Sequence, residues 1–74
     1  MWERSLFEFV EGSSSKFWEI WVEGTAVFTR HGKIGSAGRV TTRDEGSEDR
    51  AHQRYKKLVH AKLSKGYVEK TPAR

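Results

Sequence analysis

The sequence contains no cysteine, one proline among 74 residues and no long run of apolar residues. The lack of cysteine excludes disulfides, thiolate metal sites and cysteine nucleophiles, and it fits a cytoplasmic location, where thiols stay reduced. The lack of a long apolar run predicts that no helix crosses a membrane. Residues 1–4 also lack the apolar character of a secretory signal. We therefore expect a cytoplasmic domain without a membrane partner.

The chain is short and moderately basic. Its length allows one domain, which we expect to span residues 1–74, with a core at 4–68 and a frayed tail at 69–74. A total of 14 Lys and Arg against 10 Asp and Glu gives a formal net charge of +4. This balance favours an anionic partner, nucleic acid first, although many small proteins are mildly basic without binding one.

The first half of the chain predicts four strands. Apolar and aromatic residues alternate with polar ones there, or form short runs bounded by glycine and serine, as is typical of strands. The strands are expected at 5–10, 17–23, 26–31 and 39–43. Residues 12–15 are expected to form a polar connection. The three glycines of residues 32–38 are expected to form a tight turn outside the strands.

A hairpin is predicted between the second and third strands. Gly24 and Thr25 suit a two-residue type II′ turn, because its first position needs a positive φ. Such a turn sets the register of the strands. The expected pairs are Glu23 with Ala26, Val22 with Val27, Trp21 with Phe28, Ile20 with Thr29, Glu19 with Arg30 and Trp18 with His31. We expect an ion pair between Glu19 and Arg30, and the face with Ile20 and Val22 is favoured as the core.

One long helix is predicted over residues 47–65. Ser47 is a good N-cap, and acidic residues follow it in the first turn, where the helix dipole favours negative charge. Apolar residues recur at three- and four-residue steps, and Gly66 suits the position after the C-cap. We expect Tyr67 and Val68 to dock back on the sheet. The predicted fold is α+β, a small antiparallel sheet of about four strands packed against one long helix.

The candidates for catalysis are few. His31, His52 and His60 have a suitable ordinary pKa for a general base, but the latter two lack a metal-binding partner four residues further along. The glycines of residues 32–38 do not match a dinucleotide-binding motif and do not precede a helix. We therefore expect no enzyme activity, no catalytic residue, no metal and no cofactor.

Basic residues cluster around the glycine-rich turn. Lys33, Arg39 and Arg43 occur there with no acidic residue before Asp44. Basic groups at a glycine-rich turn suit contacts to phosphates, and a nearby aromatic ring or imidazole suits stacking on a base or sugar. The basic residues of the helix have a simpler interpretation as a solvated face.

Residues 30–35, Arg-His-Gly-Lys-Ile-Gly, resemble the motif of the WGR domain family, which is named for Trp-Gly-Arg. The resemblance extends to the first two strands, to Gly-Ser-Ala-Gly at 35–38 and to the helix end at 57–67, and so covers residues 4–68. The sequence looks most like the short single-domain bacterial members and the WGR-type segment of the bacterial molybdate metabolism regulator.

The resemblance implies a binding module. In poly(ADP-ribose) polymerases, the WGR domain contacts the end of a DNA break, where the motif Trp packs on the terminal nucleotide and the motif Arg helps to link domains. By position, His31 takes the Trp role, Gly32 the glycine role and Lys33 the Arg role. His offers less stacking area than Trp, and Lys cannot form the planar bidentate contact of Arg. General nucleic-acid binding is therefore favoured over recognition of DNA ends.

Two hypotheses follow. The first is a non-catalytic module that contacts DNA phosphates with low sequence specificity. Its expected site residues are Arg30, His31, Gly32, Lys33, Arg39 and Arg43, with Trp18 as a further candidate for stacking or, alternatively, a core residue. The second is a protein-interaction or self-association module that uses an exposed aromatic sheet face with Trp21 and Phe28. We expect a monomer in the first case.

Overall fold

The computed structural model describes residues 4–70, which form an antiparallel sheet with one helix on one face. The elements are β1 (Ser5–Glu11), β2 (Ser14–Glu23), β3 (Ala26–Lys33), β4 (Arg39–Asp44), α1 (Glu48–Ser64) and β5 (Val68–Glu69). The strand order in the sheet is β4-β3-β2-β1-β5. The α+β prediction is confirmed, and the two-residue β5 is the one strand of the described chain that it did not include.

The predicted hairpin between β2 and β3 is confirmed in its turn and its register. Gly24 has a φ of +62°, and Thr25 does not have a positive φ, as a type II′ turn requires. All six expected pairs are present, from Glu23 opposite Ala26 to Trp18 opposite His31. The two-residue turn therefore determined which side chains of the two strands share a face.

Two connections are shorter than expected. β1 and β2 are joined by residues 12 and 13 alone, since Ser14 already pairs with Glu11 in the sheet. β3 continues to Lys33, and Gly32 pairs with Phe17, so the prediction that residue 32 lies outside the strands is wrong. The second change places the motif residues on a strand, where alternation decides the direction of their side chains.

The helix covers the sheet face that the sequence favoured as the core. Phe7, Ile20 and Val22 are fully buried there. The buried cluster consists of Phe7, Trp18, Ile20, Val22, Val27 and Ala51, with Tyr55, Leu58, Val59 and Tyr67 packed against it. Burial of these apolar side chains supplies the main stabilisation of a domain that has no disulfide.

The opposite sheet face is not the open aromatic surface that the second hypothesis needs. Trp21 is only 6% exposed. Its ring stacks on Phe28 with 5.4 Å between centroids, and the Arg4 guanidinium lies 4.0 Å from its centroid. Its indole nitrogen donates a hydrogen bond to Glu23. The expectation that Trp21 is exposed is therefore wrong, and the main anchor of that hypothesis is lost.

Both helix ends match their sequence signals. Ser47 caps the N-terminus, and its side chain accepts a hydrogen bond from the Arg50 N–H. At the C-terminus the Gly66 and Tyr67 N–H groups bond back to the last turn, which forms a Schellman motif. The chain then forms β5, and the Lys70 N–H donates to the Leu6 carbonyl at 2.6 Å.

The docking of Tyr67 and Val68 is thus confirmed. The expected fraying does not apply to Glu69 and Lys70, because both join β1 through pairing or a backbone hydrogen bond. Residues 71–74 lie outside the described residues. Between residues 4 and 70, no helix is both long enough and apolar enough to cross a membrane.

Candidate nucleic-acid interface

The register of the sheet gathers the predicted basic residues on one face. Residues directly opposite each other on neighbouring strands point to the same face, and alternate residues of one strand do so too. His31 lies opposite Trp18 on one side and Arg39 on the other. Since the Trp18 side chain lies in the core on the helix side, the same face carries four exposed side chains that we call the basic row: His31, Lys33, Arg39 and Arg43.

Arg43, at one end of the basic row, lines an open groove beside the helix. The helix packs on β2 and β3. The groove has a volume of about 360 Å³ and is lined by Val27, Thr29, Thr41, Thr42, Arg43, Glu45, Arg54 and Leu58. The hydroxyls of Thr29 and Thr41 hydrogen-bond to each other at 2.5 Å and join β3 to β4 within the groove.

At the Arg43 end, the helix adds cations to the row. One oxygen of Glu45 lies 3.5 Å from Arg43 Nε and 3.6 Å from Arg54 Nε. The Glu45 side chain is 10% exposed, so this carboxylate is largely removed from solvent and holds the two arginines near each other. A second groove of about 500 Å³ begins here, which we call the arginine groove: Arg43, Glu45, Arg50, Gln53, Arg54 and Lys57.

The sequence suggested that helix lysines could extend the binding surface, but it did not place the helix residues of the arginine groove beside Arg43. Residues 50, 53, 54 and 57 recur at three- and four-residue steps, so they share one helix face. That spacing was a signal, but only the packing of the helix shows that the face lies next to Arg43.

The nearest acidic residue along the chain, Asp44, hydrogen-bonds within the turn after β4. The Asp44 carboxylate accepts a hydrogen bond from the Gly46 N–H at 2.8 Å and one from the Thr25 hydroxyl at 3.0 Å. These hydrogen bonds, the Gly46 one first, lower the pKa of Asp44 below its usual value. The carboxylate is therefore occupied by the turn that leads from β4 to the helix.

The glycine-rich turn folds back tightly on β3. Gly38 has a φ of +74°, and a Cβ at this position would lie 2.7 Å from both the His31 carbonyl oxygen and Phe17 Cζ. A Cβ on Gly32 would lie 2.9 Å from Gly38 Cα. Only glycine fits such a close approach of two backbones. The predicted tightness of this turn is confirmed, and it places Lys33 directly before the fold-back.

Arg30 is separated from the basic row. Its register partner is Glu19, so its side chain lies on the face opposite the helix. Arg30 Nε donates to Glu19 at 2.9 Å, Nη1 donates to the Ala37 carbonyl at 2.6 Å, and the guanidinium lies 4.7 Å from the centroid of the Phe17 ring. The predicted ion pair is confirmed, and the structure gives Arg30 a role in holding the turn against the sheet.

Trp18 belongs to the core. It is 5% exposed, and its ring lies 5.6 Å from Phe7 and 5.3 Å from the Lys62 ammonium. A buried ring cannot stack on a nucleotide, so the first option for Trp18 is corrected in favour of the second. His31, opposite Trp18 but exposed, is the remaining stacking candidate of the predicted set.

Lys16 is a further residue that the sequence did not place in the candidate site. It lies directly opposite Lys33 across β2 and β3, and so adds a cation at the end of the basic row. The predicted hairpin register already implies this pair if it is continued past Trp18. As for metal ions, the described residues contain no group of three His, Cys, Asp or Glu side chains that could hold one.

Three comparisons with known proteins agree with this architecture. The chain is 36% identical to an uncharacterized protein of Escherichia coli strain K12, YfeS, over 66 residues, which make up 89% of this chain and 27% of YfeS. It superimposes with a TM-score of 0.91 on a crystal structure of a Bacteroides fragilis protein, also 36% identical, over 93% of this chain and 20% of that one. The chain thus spans about a quarter of the length of the curated relative that it matches. The family model of the WGR domain matches residues 3–74, and the chain therefore belongs to the WGR domain family.

Proposed function

We propose that this domain is a non-catalytic module that binds nucleic acid through the basic row. The expected ligand is DNA, bound with low sequence specificity. The observation that carries the proposal is that His31, Lys33, Arg39 and Arg43 are all exposed on one face of the sheet, with Arg43 lining an open groove. Membership of the WGR domain family, which is associated with nucleic-acid binding, supports it.

In this proposal the cations contact phosphates. Lys33 and Arg39 lie at one end of the row and Arg43 at the other, and the two arginines are four positions apart on β4, a distance of about 13 Å. Side chains at this spacing reach separate, non-adjacent phosphates of one strand and release condensed counterions. The exposed His31 ring, which lies opposite Arg39, packs on a sugar or base next to the phosphate at that end. Phosphate contacts carry no base information, which accounts for low specificity.

The arginine groove extends the footprint of the row. Arg54 is held next to Arg43 by Glu45, so a phosphate at Arg43 lies near a second guanidinium. Arginine forms planar paired hydrogen bonds with phosphate, which lysine does not. We therefore place the stronger phosphate contacts at the Arg43 end of the row.

The test is a salt titration with single-residue variants. A fluorescent short duplex and the matching single strand are titrated with protein from about 50 to 200 mM salt, and the slope of log K against log salt is measured. We expect Lys33→Gln and Arg39→Gln each to weaken duplex binding and to reduce the slope by about 0.9. Lys56→Gln is the matched control, because it removes one exposed positive charge of the helix outside the row and the arginine groove.

Two results contradict the proposal. One is an affinity that does not change with salt, since phosphate contacts must release counterions. The other is an equal loss in the Lys33→Gln and Lys56→Gln variants, since the row then contributes only through net charge.

A further inference from the structure

A third groove lies on the helix side of the sheet, next to the Lys33 end of the basic row. It has a volume of about 340 Å³, and we call it the lysine groove: Phe9, Lys16, Lys62, Lys65 and Tyr67. The residues come from β1, β2, the end of the helix and the segment after it. The groove has the volume of a small-ligand site, which is roughly 300–1,000 Å³ in proteins.

Two aromatic rings and two ammonium groups shape the groove. The rings of Phe9 and Tyr67 lie 5.3 Å apart between centroids. The Lys16 ammonium lies 5.4 Å from the Phe9 ring centroid, and the Lys62 ammonium lies 4.9 Å from the Tyr67 centroid. Tyr67 is held in place because it also packs against the core. A ligand in this groove meets flat apolar surface and positive charge together.

The positive charges of the groove repel each other. The pKa of Lys62 is lowered, first by burial and then by the charges of Lys65 and Lys16. Lys33 lies directly opposite Lys16 and adds a further like charge, and such cross-strand pairs are destabilising. An anion bound between the ammonium groups would relieve this repulsion.

The nearby acidic residues of the sheet do not line the groove. The register places Glu11 and Glu69 on the same face, Glu11 two residues beyond Phe9 and Glu69 opposite Phe7. Neither is among the lining residues, which within the described chain comprise three lysines and two aromatic residues. The groove is thus a cationic site with an aromatic floor.

We propose that the lysine groove binds the phosphate group of a nucleotide, with the sugar or base against Phe9 and Tyr67. Lysine binds phosphate as a compact point charge, and aromatic rings pack on any base because every base has a flat face. The nucleotide is either free or part of a strand. In the second case the inference rests on the proposed function, because the Lys16–Lys33 pair makes the groove continuous with the basic row.

The experiment titrates the full, isotope-labelled chain by NMR with adenosine 5′-monophosphate, with inorganic phosphate and with adenosine at low salt. We expect the monophosphate to shift the amide signals of Phe9, Lys16, Lys65 and Tyr67. Inorganic phosphate should bind the same residues more weakly, and adenosine should bind too weakly to shift them. This order follows if charge supplies most of the affinity and the rings add to it.

Variants connect binding to the groove. Lys16→Gln and Lys65→Gln should each weaken the monophosphate about tenfold, as expected for loss of a charged hydrogen bond. Lys56→Gln is the matched control and should change the affinity less than twofold, roughly the effect of screened net charge. Lys65 is exposed, so its variant leaves the buried core unchanged.

The outcomes separate this inference from the proposed function. Loss of monophosphate binding in Lys16→Gln but not in Arg39→Gln supports phosphate binding in the lysine groove. This holds regardless of the result for oligonucleotide binding. Absence of monophosphate binding, or an equal loss in Lys56→Gln, overturns the groove even if Arg39→Gln still weakens oligonucleotide binding. Competition between the monophosphate and an oligonucleotide identifies a strand as the source of the phosphate, and binding without competition identifies a free nucleotide.

Discussion

Replacement of Arg30 by methionine separates structural support from phosphate contact. The change removes the hydrogen bonds to Glu19 and to the Ala37 carbonyl, together with the contact on the Phe17 ring, and keeps a long apolar side chain. It leaves the Glu19 carboxylate, whose side chain is 11% exposed, without its cationic partner. Loss of one partner of a fully buried pair costs about 3–5 kcal/mol.

The Arg30 side chain is 30% exposed, so solvent screens part of that cost. We expect a loss of about 2 kcal/mol in the free energy of unfolding, which in a domain of this size lowers Tm by roughly 10 °C. Urea unfolding followed by tryptophan fluorescence measures the first quantity. In the Arg30→Met background, Glu19→Gln should restore about 1 kcal/mol, because a neutral amide is easier to bury than an unpaired carboxylate.

The salt titration then tests the role of Arg30 in binding. At a temperature where the variant is folded, Arg30→Met should leave the slope of log K against log salt unchanged, whereas Arg39→Gln lowers it by about 0.9. Normal stability of Arg30→Met together with a reduced slope would refute the structural role. That result would instead support the sequence-based prediction that Arg30 contacts phosphate.

Three further predictions concern the turn and the two ends of the segment between β4 and the helix. Gly38→Ala should lower the free energy of unfolding by about 2–4 kcal/mol, because the new Cβ meets both a positive φ and a close contact. Gly35→Ala also introduces a Cβ at positive φ, but with nothing within 4 Å of it. In urea unfolding this control should therefore lose only about 1 kcal/mol. The pKa of Asp44, measured by carbon NMR, should lie below its usual value. The Asp44 carboxylate therefore stabilises the fold at pH values above its usual pKa, and this stabilisation is lost as the pH falls through the folded pKa. Asp44→Asn should remove this acid dependence. Ser47→Ala should cost about 1 kcal/mol in thermal unfolding because it removes the helix N-cap.

The hairpin and the helix could be predicted because their signals are local. Gly24 and Thr25 specify a two-residue turn, and that turn determines every pair from Glu23 to Trp18. Ser47 and Gly66 mark the two ends of the helix in the same way. The fifth strand has no such signal, since two residues are too few to show alternation, and it forms because the helix end returns the chain to β1.

The composition of the site depended on contacts between distant residues. The sequence left Trp18 open between stacking and core, and only the helix packed above it decides for the core. Gly38 folds back onto Gly32, a close approach that no local pattern indicates. Lys16 and Lys62 share a groove although 46 positions separate them in the chain. Contacts of this kind depend on both the sheet register and the placement of the helix on the sheet. The register can be predicted from the sequence, but the helix placement cannot.

The placement of the helix also changes the interpretation of its basic residues, which the sequence predicted to form a solvated face. Because the helix packs on β2 and β3, its residues 50, 54 and 57 line the arginine groove at one end of the basic row. Lys62 and Lys65 line the lysine groove next to the other end. Exposed lysines of one helix are therefore not equivalent, and Lys56 and Lys65 should differ in their effect on phosphate binding although each carries one charge. A helix that served only solubility would show no such difference, so this pair of variants tests whether the helix is part of the binding surface.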